Sequence, residues 1–259
     1  MDNFPLSAAP VQYSVCSHIG QRRFNEDSVH VPSGVKPSNS TGWLFAVADG
    51  MGGHRGGGLA SRLACQELEA YYQRLPPEPR SLIPPLLSRI LMETVLRIDR
   101  SIRWHGLGAG GMAEMGTTLS CLLLTESHSI ISHVGDSRIY RLRHDRLTCL
   151  TTDHTFVQDM IMEGEVDPRD AGKHPLRNLL TRVVGTTEPL PLVDTRIDRL
   201  QRGDRFLLCT DGLSNAVAYD AIADHLANGY DAYGLAEQLV ALALHNNARD
   251  NTTAIVVIV

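Results

Sequence analysis

The stretch Trp43-Leu-Phe-Ala-Val-Ala-Asp49-Gly50-Met51-Gly52-Gly53-His54 runs six apolar residues straight into an acidic residue and a cluster of glycines. An apolar run of this length, closed by a turn signal, reads as a strand buried on both faces. Asp49 then stands where a rigid element gives way to a loop, the usual place for a site. The pattern is repeated in Arg205-Phe-Leu-Leu-Cys-Thr-Asp211-Gly212. A third acid, Asp250, sits in Ala-Arg-Asp250-Asn251-Thr-Thr, just before the apolar terminus Ala254-Ile-Val-Val-Ile-Val259. If the three strands are neighbours, three carboxylates converge, and such a group takes up protons or a cation. Taken singly, an Asp-Gly pair reads more readily as a hairpin turn than as a ligand.

The chain has 259 residues, is 43% hydrophobic and carries a formal charge of -5. That supports a sizeable core and gives no general attraction to nucleic acid. The five cysteines, at 16, 65, 121, 149 and 209, form no CxxC and lie mostly in apolar runs, which reads as reduced, buried thiols. No signal peptide and no membrane-length apolar run is visible, so a cytoplasmic location and no membrane partner are expected.

Residues 1–12 read as a loose lead-in and 13–17 as a first strand. Arg22, Arg23, Asn25, Glu26 and Asp27 form a dense polar cluster that is either a solvated turn or an arginine fork for an oxyanion. A Ser/Pro/Gly loop is expected over 33–42. Helical spacing covers 56–75, a proline-rich break follows, and a second helix is expected over 86–104. Residues 106–111 match GxGxxG formally, but no strand precedes them, so a dinucleotide site is rejected. Strands follow at 117–124, 129–134, 137–142 and 147–151, with Gly135-Asp136 turning inside a hairpin. A helix over 153–163, an irregular exposed segment over 164–178, strands at 192–197 and 205–210, and helices at 219–227 and 232–245 complete the order. Strands and helices do not alternate regularly. The order suits an α+β chain of two packed, mainly antiparallel sheets with helices outside.

All candidate ligands are oxygen, with no HExxH and no zinc spacing, which suits Mg²⁺ or Mn²⁺. Two such ions about 3.5–4 Å apart would share a water and lower its pKa. The chemistry this supports is direct hydrolysis of a phosphate ester, with no sign of a nucleophile elbow, a P-loop or a kinase motif set.

Several motifs stand in a fixed order: Gly20-x-Arg22-x-x-Asn25-Glu26-Asp27, Ala48-Asp49-Gly50-Met51-Gly52-Gly53, Met115-Gly116-Thr117-Thr118, Val134-Gly135-Asp136-Ser137-Arg138, Thr152-Asp153-His154, Leu180-Thr181-Arg182, Thr210-Asp211-Gly212-Leu213 and Arg249-Asp250-Asn251-x-Thr253. The set resembles the metal-dependent Ser/Thr protein phosphatases of the PP2C (PPM) family, in their bacterial single-domain form. The resemblance implies one domain over 1–259, folded as a four-layer α-β-β-α sandwich of two sheets flanked by helix pairs. It implies that Asp49 bridges two ions, that the Gly50 carbonyl completes one site, and that Asp211 and Asp250 bind the other. Glu26 and Asp27 fall in the motif that supports the metals, and Arg22 aligns with the phosphate-gripping arginine. Asp136 aligns with a ligand of a third, weaker ion; a plain hairpin turn residue is the alternative. Residues of about 155–181 align with a flap over the cleft. Met51 stands where animal relatives carry a histidine cast as general acid. His54, three residues on, is the candidate for that role, and an exposed loop histidine is the alternative. The implied activity is dephosphorylation of phosphoserine and phosphothreonine in proteins by a monomer that opposes a Ser/Thr kinase. A non-catalytic phospho-binding module and a small-molecule phosphatase remain as alternatives.

Overall fold

Leu44, Ala46 and Ala48 pack on one side of a strand, while Phe45 and Val47 pack on the other, and all five are buried. That is why this run is continuously apolar rather than alternating. The computed structural model describes residues 11–32, 42–52, 56–69, 71, 83–108, 115–229 and 231–259. The strand is β3 (Trp43–Met51). It belongs to a six-stranded sheet with β2 (Asp27–His30), β5 (Leu119–Leu124), β6 (His128–Val134) and β9 (Asp194–Arg199), in the order β2-β3-β5-β6-β9, and the two-residue β4 (Gly116–Thr117) also pairs with β3. The second sheet runs β1-β11-β10-β7-β8, built from β1 (Gln12–His18), β11 (Thr252–Ile258), β10 (Arg205–Cys209), β7 (Arg138–Arg143) and β8 (Arg146–Cys149). Every pairing is antiparallel.

Three apolar layers hold four layers of structure together. Between the sheets, Phe45, Leu122 and Ile131 meet Ile139, Phe206, Leu208, Ile255 and Val257. Outside the first sheet, α1 (Gly56–Glu67) and α2 (Pro84–Gly108) lay Ala60, Ala64, Leu91, Val95 and Ile98 against Leu44, Leu119 and Cys121. Outside the second sheet lie α5 (Tyr219–Asn228) and α6 (Leu235–His245), whose Leu226, Leu239 and Ala243 cover Tyr140, Leu207 and Val256. The structure is the expected α-β-β-α sandwich.

Several local expectations need correction. The polar cluster at 20–28 runs into a strand, β2, which is too short and too polar to show apolar periodicity. The strand expected over 117–124 is broken at Thr118, whose hydroxyl is taken up by other backbone. Pro84 and Pro85 do not break the second helix but open it, because first-turn N–H groups have no helical partner to lose. That helix also extends through Gly108, into the segment read as loop; 109–114 lie outside the described residues. The first helix stops at Glu67, and 72–82 lie outside the described residues, as do 33–41 of the expected loop. Gln12 belongs to β1, and the lead-in at 1–10 is not described. The helix expected from Asp153 is α3 (Phe156–Glu163): Thr155 caps it, its hydroxyl accepting the Gln158 N–H at 3.3 Å. Within 164–178, Ala171–Lys173 forms a single 3-10 turn.

The five cysteines are free thiols, and Cys65, Cys121 and Cys209 are buried. Burial pushes the Cys65 thiol up to about 12, so it has no nucleophilic character at neutral pH. No helix among the described residues is long and apolar enough to cross a membrane.

Candidate metal centre

The strand ends bring the acids together. A cavity of about 320 Å³ is lined by Arg22, Glu26, Asp49, Gly50, Met51, Gly52, Thr118, Asp136, Asn178, Leu180, Asp211, Asp250 and Asn251. Its wall thus holds five carboxylates and one guanidinium. Asp27 lies just behind: it is the cross-strand partner of Asp49 in the β2–β3 register. Like charges in that relation repel and persist only with compensation.

Each acid is fixed by its local backbone. Asp49 is clamped on both sides of its peptide. Its N–H donates to Thr118 Oγ1 at 2.9 Å, and its carbonyl accepts the Thr118 N–H and the Thr117 hydroxyl, each at 2.9 Å. Gly50 is pressed between β2 and the start of α1: its N–H donates to the Glu26 carbonyl at 3.2 Å, and a Cβ there would collide with Gly57. Asp211 opens a four-residue helix, α4 (Asp211–Ser214), rather than simply ending a strand. Gly212 follows it because any Cβ there would strike the Asn251 carbonyl. The two Asp-Gly pairs are therefore points of close backbone approach, not hairpin turns. Asp136 sits in the turn between β6 and β7, in the hairpin expected from Gly135-Asp136.

The Asp27 carboxylate is half satisfied. Its Oδ2 accepts the hydroxyls of Thr253 at 2.6 Å and Thr210 at 2.9 Å. Its Oδ1 is buried without a hydrogen-bond partner, and so is Asp211 Oδ1. Asp250 Oδ2 accepts from Arg22 Nη2 at 2.6 Å, and this pair holds the Arg22 guanidinium firmly protonated. Glu26 reaches sideways, its Oε1 accepting the Gly58 N–H in the first turn of α1 at 3.3 Å.

Burial and mutual repulsion raise four of these acids, Asp27, Asp49, Asp136 and Asp211. Burial first, then Asp27, Asp211, Asp136 and Asp250, push Asp49 well above the ordinary carboxylate range. Burial raises Asp27 to about 7 against the opposing pull of its two threonine hydroxyls. Asp136 is raised to about 7 by burial and Asp211, and Asp211 to about 6 by burial and Asp250. Carboxylates held this way are protonated or bind a cation. Among the described residues no group of three or more Asp, Glu, His or Cys side chains is spaced to hold a metal ion by itself. The carboxylates line the cavity together with Gly50, so a divalent ion there would take part of its coordination from a backbone carbonyl and water, as hard ions do.

Asn251, Thr118, Asn178 and Leu180 line this cavity without having been assigned a role from sequence. Asn251 ties the Arg22 loop to the Asp250 strand: its Oδ1 accepts the Glu26 N–H at 2.9 Å, and its Nδ2 donates to the carbonyls of Ile19 at 2.8 Å and Phe24 at 2.9 Å. The signal was present, since Asn251 and Thr118 stand in the quoted motifs, but a side chain serving the backbone 225 residues away has no local signature. His54 lies outside the described residues. Met51 sits at the cavity rim.

A cavity lined by five carboxylates and one guanidinium, with no histidine or cysteine in its lining, suits a hard divalent ion and the hydrolysis of a phosphate ester. Residues 16–243 match the family described as Protein phosphatase 2C, and the chain belongs to that family. It is 31% identical over 236 residues to the serine/threonine phosphatase stp of Listeria innocua, covering 91% of this chain and 90% of that one. It is 35% identical over 242 residues to the serine/threonine protein phosphatase PstP of Mycobacterium tuberculosis, covering 91% of this chain and 42% of that longer one. The solved catalytic domain of PstP, in complex with two manganese ions, superposes with a TM-score of 0.80 at 32% identity over 96% of this chain and 99% of that one. The chain is a metal-dependent Ser/Thr protein phosphatase of the PP2C type.

Proposed function

We propose that the chain removes phosphate from phosphoserine and phosphothreonine in proteins by direct attack of water at the carboxylate cavity. Asp49, the Gly50 carbonyl, Asp211 and Asp250 hold two Mn²⁺ or Mg²⁺ ions, and Asp136 holds a third, weaker one. What supports this reading is the set of half-buried acids around one cavity, with Asp49, Asp136 and Asp211 raised above the ordinary carboxylate range and with Asp27 Oδ1 and Asp211 Oδ1 lacking a hydrogen-bond partner. Bound divalent ions supply the charge that relieves this repulsion and a water of lowered pKa.

The chain's own groups do the rest. Arg22 is 59% exposed at its side chain, reaches over the cavity mouth, and offers a planar fork to phosphoryl oxygens. It neutralises Asp250 at 2.6 Å, a charge that a divalent ion held by Asp250 would also supply. Asp27, anchored by Thr210 and Thr253, and Glu26 form a second ring that orders water around the first. Asn178 and Leu180, from the segment at about 155–181 proposed as a flap, line the cavity. His54 is the proposed proton donor to the leaving oxygen. The whole of 1–259 is proposed to act as one domain, as a monomer in the cytoplasm, opposing a cognate Ser/Thr kinase. The phosphatase activity within this reading is supported by the name of the Listeria relative, which matches at similar length.

The test is phosphate release from phosphoserine and phosphothreonine peptides with Mn²⁺ and with excess chelator. Release that persists under chelator would remove the metal reading. Turnover of p-nitrophenyl phosphate without any peptide turnover would favour a small-molecule substrate, and turnover of neither would favour a binding module.

A further inference from the structure

His154 is buried beside the cavity and has no part in the chemistry above. Its main chain and its ring grip one residue. The His154 N–H donates to the Gly135 carbonyl at 2.8 Å, and the Gly135 N–H donates to His154 Nδ1 at 3.0 Å. A peptide N–H can only donate, so Nδ1 is bare and the neutral ring carries its proton on Nε2. Nε2 lies 3.3 Å from Asp194 Oδ2, and Arg182 Nη1 donates to Asp194 Oδ1 at 2.9 Å, 3.2 Å from the same ring nitrogen. The His154 carbonyl accepts the Thr181 N–H at 2.9 Å. The His133 ring packs against it at 4.8 Å between centroids, itself tied to Ser120 Oγ at 2.8 Å and the Thr152 carbonyl at 3.1 Å.

The two ends of this hub lead to opposite sides of the cavity. The gripped turn carries Asp136. It rests on Thr118, which holds Asp49 and lies 2.7 Å from Ser137 Oγ. On the other side, Thr181 follows Leu180, which lines the cavity, and Thr155, next to His154, bridges to Leu180.

We propose that His154 is a positioning residue: by clamping Gly135 it fixes Asp136 relative to Leu180 across the cavity, and so sets how tightly Asp136 holds its divalent ion. This rests on the reading of Asp136 as an ion ligand.

Two substitutions separate the clamp from mere filling of space. Asparagine places Oδ1 close to where the ring has Nδ1, so His154→Asn keeps an acceptor for the Gly135 N–H. Glutamine reaches toward Asp194 but offers nothing at that point, so His154→Gln loses the clamp. In metal-free protein, amide exchange at Gly135 should be at least about tenfold faster in His154→Gln and near wild type in His154→Asn. By Mn²⁺ paramagnetic resonance titration of the whole chain, the weakest binding step should weaken about tenfold in His154→Gln only. With p-nitrophenyl phosphate, kcat should fall and KM hold. In an Asp136→Asn background, His154→Gln should change kcat by less than about twofold, because the route through Asp136 is already lost. Equal losses in the Asn and Gln variants, in step with melting temperature, would reduce His154 to a packing residue and overturn the proposal. So would a full effect in the Asp136→Asn background. Asp194→Ala, on a partly exposed side chain, keeps the test open where a buried change unfolds the chain: it removes the acceptor for Nε2–H and should weaken the same Mn²⁺ step about threefold, and no change would count against the clamp. A wild type that binds no Mn²⁺ breaks the reading of the centre itself. A wild type that binds it, beside a His154→Gln variant that binds it equally well, sinks only this proposal.

Discussion

Replacing Asp211 by asparagine should destroy activity while making the metal-free protein more stable. In the folded chain, burial and the nearby Asp250 raise Asp211 to about 6 from an ordinary 3.8. Two units at about 1.4 kcal/mol each give roughly 3 kcal/mol of destabilisation when the group is ionised above pH 6. The neighbouring acids share protons with it, so the part that belongs to this one side chain is about 1–3 kcal/mol. Asparagine keeps the shape and the acceptor for Asn215 Nδ2, now at 3.2 Å from Asp211 Oδ2, but carries no charge. In a chain of this size, that range corresponds to a melting temperature about 2–10 °C higher in chelator at pH 7.5. With saturating Mn²⁺ the order should reverse, because only wild type gains the full binding energy of the ions. Turnover of p-nitrophenyl phosphate should fall by at least about 100-fold, since several kcal/mol of charge stabilisation go with the ion. Normal turnover, or a variant less stable than wild type in chelator, would refute the argument that these acids are held in repulsion for the sake of a cation.

The same logic sets the pH dependence of the metal-free protein. Asp27 and Asp136 titrate near 7 and Asp211 near 6 when folded, so the fold binds protons more tightly than the unfolded chain does. The stability they contribute is complete below about pH 4 and is lost as pH rises through about 6–7. Melting in chelator should therefore be higher at pH 5 than at pH 7.5, with Mn²⁺ restoring the loss; a flat profile would argue against shared burial of charge. Arg22→Ala should raise KM more than it lowers kcat, because the guanidinium holds phosphate in the ground state as well; the reverse split would contradict a grip on substrate. Gly135→Ala should cost about 2–4 kcal/mol, measured by denaturant unfolding, because φ is +106° and its Cβ would lie 2.5 Å from Thr118 Cγ2; a cost below about 1 kcal/mol would be inconsistent with the turn as described.

The parts of the fold visible in the sequence are those where burial writes a local pattern. β3, β10 and β11 are apolar on both faces and each has one end beside an acid, so strand and candidate ligand appear in one stretch. What stayed hidden depends on partners far along the chain. β2 is a strand because Asp27 to His30 pair with β3, not because of their own apolar content. Thr118 leaves its strand to serve Asp49, and Asn251 serves a loop near the other terminus. The Asp-Gly pairs looked alike in sequence, yet Gly50 makes room for α1 and Gly212 for the Asn251 carbonyl. Nothing local in Thr152-Asp153-His154 reveals that the histidine clamps Gly135, nineteen residues back.

Anomalous scattering from a crystal grown with Mn²⁺ bears most directly on the central claim. Two peaks between Asp49, Asp211 and Asp250, with the Gly50 carbonyl in reach of one, are the expected result. A fully Mn²⁺-activated crystal whose peaks all fall elsewhere, with that cavity dry of metal, would contradict it.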